Sequence, residues 1–126
     1  MSTQRCRAIL LGVGEPARVV EIEAGLRGLQ CAIGGLIENF ARIPLGRGTG
    51  RTADLWHDDE SRLKDLPENR TVILPDYFGD IAGPILITAA DEGNGETYSL
   101  KDDEIALLLS FVEMWPQADL GEGGPQ

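Results

Sequence analysis

The chain has 126 residues and 13.6 kDa, with 42% hydrophobic and 25% charged residues. That is one domain's worth of chain with enough apolar content for a self-sufficient core, which excludes a disordered protein and removes the need for a disulfide or metal staple. The formal net charge of −10 excludes general binding to a nucleic-acid backbone, which most of this surface would repel.

The charge is unevenly distributed. Residues 1–52 hold seven arginines against four glutamates, +3, and residues 53–126 hold four bases against seventeen acids, −13. Such polarity attracts different partners at different places. Cys6 and Cys31 are the only cysteines. Neither belongs to a zinc-like or redox spacing, and both read as free thiols of a cytosolic protein. The polar start leads into an apolar run too short for a signal peptide or a membrane span.

Arg5–Leu11 reads as a strand, Gly12–Pro16 as a turn and Arg18–Ile22 as a second strand, together a hairpin. Leu26, Leu29 and Ile33 recur at helical spacing and predict a short helix over 24–33, capped by Gly34-Gly35. Gly25 and Gly28 each weaken it by about 1 kcal/mol relative to alanine. Leu36–Ile43 alternates as a strand closed by Pro44. Gly46–Thr52 (GRGTGRT) reads as a mobile loop, Ala53–His57 as a short strand and Asp58–Lys64 as a polar turn. Leu66–Arg70 reads as another turn and Thr71–Leu74 as a strand. Ile81–Ala90 is the most apolar run; Pro84 suggests that its strand begins there or lies on a sheet edge.

Ser99 reads as the N-cap of a second helix, with Asp102 as its capping-box partner and Pro116 as its stop. Its apolar positions cover an arc of about 220° at 100° per residue, twice what one core contact needs. The excess predicts a second contact, with another copy of the chain or with a partner, through Leu107, Phe111, Met114 and Trp115. A helix sunk between loops is the other way to cover such an arc. Residues 117–126 read as a flexible tail, leaving 1–116 as the domain. The expected fold is α+β: a mixed, mostly antiparallel sheet of about five strands, a short helix after strand two and a longer C-terminal helix on one face.

The order of several segments resembles the family known as domain of unknown function 3846, common in phages, plasmids and related bacterial genomes. The resemblance spans Ala8 to Val112 and rests on IGGLIE (Ile33–Glu38), DLWHDDE (Asp54–Glu60), LKDLPENR (Leu63–Arg70), IAGPILI (Ile81–Ile87) and SLKDDEI (Ser99–Ile105). It departs at Ser61-Arg62, where the family often has a glycine turn. It implies a small mixed α/β domain and a mobile-element setting, and it supplies no catalytic residue.

Among candidate sites, Gly46–Thr52 matches neither a phosphate loop nor a dinucleotide fingerprint. What survives is a grip by Arg47 and Arg51 on an anion such as a small nucleotide. Trp56 is a candidate stacking platform or protein hot spot, core packing being the alternative. His57, the only histidine, lies beside Asp58, Asp59 and Glu60, but strand alternation sends Asp54 and His57 to opposite faces, so no metal site and no cofactor are expected. Asp58, Asp59 and Glu60 suit docking on a basic protein surface, and His57, Asn69 and Arg70 join them as candidate ligand- or partner-binding residues, a structural role in closing a turn being the alternative for Asn69 and Arg70. No nucleophile stands at a recognisable elbow, so no catalytic residue is assigned.

Two function classes remain. One is a non-enzymatic binding protein of a phage or other mobile element that blunts a host defence, by occluding a host protein or by sequestering a small nucleotide with Arg47, Arg51 and Trp56. The other is a small accessory enzyme of phage or plasmid metabolism. The expected partners are a host protein or a small anionic nucleotide, with no direct nucleic acid, no membrane and a homo-oligomeric state.

Overall fold

The computed structural model describes residues 4–46, 48–91 and 97–118. The chain is α+β. Strands β1 (Arg5–Leu11) and β2 (Arg18–Glu23) form a hairpin. They are followed by helix α1 (Leu26–Ile33), β3 (Ile37–Pro44), β4 (Arg51–Asp58), β5 (Glu68–Leu74), β6 (Tyr77–Ala82), β7 (Ile85–Asp91), β8 (Thr97–Tyr98) and helix α2 (Asp102–Val112). The main sheet runs β2-β1-β7-β4-β3, with β8 also paired to β7, and β5 and β6 make a separate two-stranded sheet. Every pairing is antiparallel.

The apolar run at Ile81–Ala90 splits into two strands around Gly83, whose φ of +79° turns the chain. Pro84 stands just before β7, which is the central strand and not an edge. A proline there costs no ladder bond. Side chains of β7 are buried on both faces of the sheet, which accounts for a continuous apolar run where a half-buried strand would alternate. Ile85, Ile87 and Ala89 join Ile9, Leu11, Ala53 and Leu55 under α2 and the β5–β6 hairpin. Leu86 joins Cys6, Ala8, Ile22, Leu29 and Ile33 in a smaller core under α1.

α1 packs so closely on the end of β2 that a Cβ on Gly28 would overlap the Glu23 carbonyl oxygen. The glycine that weakens the helix is what lets it approach. At the other end Gly34, with φ +91°, is the left-handed cap.

β1 and β7 pair through Ile9, Leu10 and Leu11 and then diverge, and Thr97–Tyr98 pairs with β7 beyond that point, opposite Ala90 and Ala89. Arg7 closes the split: its N–H donates to Ser99 Oγ (2.8 Å), its guanidinium to the Leu100 carbonyl (2.8 Å) and to Asp102 (2.7 Å), and its carbonyl accepts from Leu100 N–H. Ser99 is thus engaged by β1 and is not the N-cap of α2. Lys101 holds that position, and its N–H donates to the Glu104 carboxylate (2.9 Å).

The segment expected as a turn at Leu66–Arg70 lies past the turn, which covers residues 59–65; Glu68, Asn69 and Arg70 belong to β5. Asn69 is fully buried, and its amide donates to the carbonyls of Leu11 and Gly83, both at 2.8 Å. It ties β5, β1 and the β6–β7 turn together, so tertiary hydrogen bonds override a turn-former's preference. Residues 116–118 continue along β5: Thr71 N–H donates to the Pro116 carbonyl, Ala118 N–H to that of Asn69, and Gln117 bridges Arg70. The remainder of the expected tail, 119–126, lies outside the described residues.

Candidate functional site

Helix α2 sends Ile105, Leu108 and Val112 into the main core. Leu107 and Phe111 fall outside it one helical turn apart, and Met114 stands in the turn that follows the helix. They are 45%, 40% and 77% exposed. Phe111 also walls a cavity of about 200 Å³ lined by Phe40, Ile43, Leu74, Asp76 and Tyr77. Through Phe111 the helix shares this apolar groove with β3 and the β5–β6 turn, while Leu107 lines a separate cleft with Leu45 and Arg51.

Local sequence builds the groove. A bulge in β3 between Asn39 and Ala41 inserts Phe40 as an extra residue, and the Asn39 amide holds the bulge by donating to the carbonyls of Ala41 and Leu55, both at 3.0 Å. Phe40 then packs edge-on to His57 (5.0 Å between ring centres) and tilted against Tyr77 (5.3 Å). Pro75-Asp76 turns the hairpin and brings Leu74 and Tyr77 to the same wall. Burial, with the nearby Glu38 carboxylate adding to it, raises the Tyr77 phenol's pKa and keeps it protonated. The end of α2 is fixed by Trp115, whose indole N–H donates to the Ile73 carbonyl at 3.0 Å.

The charges about this surface are mixed. Asp76 lines the cavity together with Arg42, and Asp103 lines the separate cleft with Leu107, Arg51 and Lys101. Neither Asp76 nor Asp103 forms an ion pair among the described residues. The nearby arginines are engaged: Arg42 pairs with Asp54 (2.7 and 3.3 Å) and Arg51 with Glu104.

The structure redistributes the residues expected to form a site. Arg51 belongs to β4, and its guanidinium forks onto Glu104 (2.7 and 2.8 Å) and the Ser99 carbonyl (3.0 Å). The Arg51 hydrogen bonds and the Lys101 N–H hold the Glu104 carboxyl below its ordinary pKa against its burial. Arg51 is therefore no free anion grip on a loop; it locks α2 to the sheet. Arg47 lies outside the described residues.

Trp56 sits on the α1 face, partly buried beside Leu29 and Ile37, and its indole N–H donates to Thr88 Oγ1 at 2.9 Å. His57 is on the opposite face with Nε2 2.9 Å from Glu38 Oε1, and its Nδ1 is buried without a partner.

Asp58 is buried: burial opposes its charge, but Lys64 at 2.6 Å and the Glu60 N–H overcome that and lower its pKa. It is spent inside, which corrects its assignment to a docking surface. Asp59 is exposed and Glu60 half-buried. Asn69 is the buried tie described above. Arg70 is buried beside it, donates to the Glu15 carbonyl (2.7 Å), and burial lowers its pKa. Trp115 is 4% exposed, in the main core, and so is no interface residue.

Leu107, Phe111 and Met114 face outward, as the helical arc predicts, and Phe111 among them lines the groove. Phe40, Tyr77 and Asp76, which complete it, escape a reading of single segments, since a strand bulge and a hairpin turn remote in sequence bring them there. Among the described residues no three His, Cys, Asp or Glu side chains converge as a metal site would, and no helix is long and apolar enough to cross a membrane.

The family model described as Domain of unknown function (DUF3846) matches residues 6–115. No curated protein and no solved structure matches the chain.

Proposed function

The chain belongs to the DUF3846 family, and we propose that it is a non-enzymatic binding protein that docks a partner protein in the groove beside α2. One observation carries this reading: Phe111, exposed on α2 one turn after the exposed Leu107, walls a cavity with the aromatic rings of Phe40 and Tyr77. Fully burying such side chains is worth about 1.5–3 kcal/mol each, and aromatic anchors in pockets are where interface energy concentrates. In the phage or mobile-element setting that the family resemblance implies, the partner is a host protein of the cytosol, and occluding it inhibits a host defence.

The reading is tested by panning a displayed library of random peptides on the full chain and on Phe111→Glu. Peptides enriched on the native chain and lost on the variant are the expected result. Enrichment that ignores Phe111, or none, overturns it.

A further inference from the structure

We draw no further inference here: the strongest candidate, the cleft of about 440 Å³ beside the start of α1 lined by Gln4, Leu26, Leu29, Ile37, Trp56 and Thr97, is an open, largely apolar surface, and nothing in the structure shows what covers it.

Discussion

The two helices solve opposite problems. α1 is eight residues long, interrupted by Gly28, without a side-chain cap, and covers a small core of Cys6, Ala8, Ile22 and Leu86. α2 is capped by Glu104, locked by Arg51, fills the larger core and still carries apolar side chains outside it. Charges near the end of α1 are used internally: Asp58 meets Lys64 against Gly35, the cap residue's neighbour. On α2, Asp102 pairs with Arg7 and Glu104 with Arg51, while Asp103 forms no ion pair among the described residues. Each helix exposes an apolar side chain beside a cavity, Leu26 of α1 with Trp56 and Phe111 of α2 with Phe40 and Tyr77, so the two differ in how firmly they are held and not in whether they leave apolar surface outside the core.

The comparison breaks most readily in the core. Leu108→Ala should cost near the top of the range of about 2–5 kcal/mol for such truncations, and Leu29→Ala near its bottom, because the thinner α1 layer can collapse onto the gap. Urea midpoints measure both, and equal losses would show that the two layers are alike. Arg51→Met comes next. It strands a largely buried Glu104 and should cost about 2 kcal/mol at neutral pH, less than a fully buried pair because water reaches part of the site.

Its pH dependence has a definite sign. Glu104's folded pKa is below its unfolded value of about 4.3. The stabilisation is therefore complete above that value and is lost as pH falls through the folded pKa. The gap between native chain and Arg51→Met should narrow on acidification below about pH 4. A gap that is constant with pH would mean that Arg51 acts by packing alone.

Gly28→Ala sharpens the view of α1. Alanine gains about 1 kcal/mol of helix propensity, yet the new Cβ meets the Glu23 backbone, so a net loss of about 1–2 kcal/mol is expected from overpacking. A thermal melt that rises would mean that α1 shifts freely. The smallest effect is expected on the outer row of α2: Leu107→Glu should leave stability within about 0.5 kcal/mol, as surface changes do. A larger drop would place Leu107 in the core and remove the case for the groove.

Periodicity alone carried much of the architecture. The β1–β2 hairpin, both helices and the outward row of α2 follow from the spacing of apolar residues. The failures have particular causes. Asn69-Arg70 reads as a turn because asparagine favours turns, and only the carbonyls of Leu11 and Gly83 explain its place in a strand. Arg51 reads as a loop cation because its partner Glu104 is 53 residues away. Trp115 counts toward an outward arc until its bond to Ile73 is seen. β6 is hidden by Gly79 and Asp80, which suit an exposed strand poorly.

The position of β7 fixes an order of events. The strand joining the two halves of the main sheet is made of residues 85–91, and the residues that close the split beside β1 come later still. On a ribosome the β1–β2 hairpin and the β3–β4 pair emerge first, each with its apolar edge waiting. At about 5–20 residues per second those edges stay unpaired for seconds. Long loop closure then limits the rate of collapse, which places this small domain among the slower folders of its size, and makes its first half a natural client for a chaperone during synthesis.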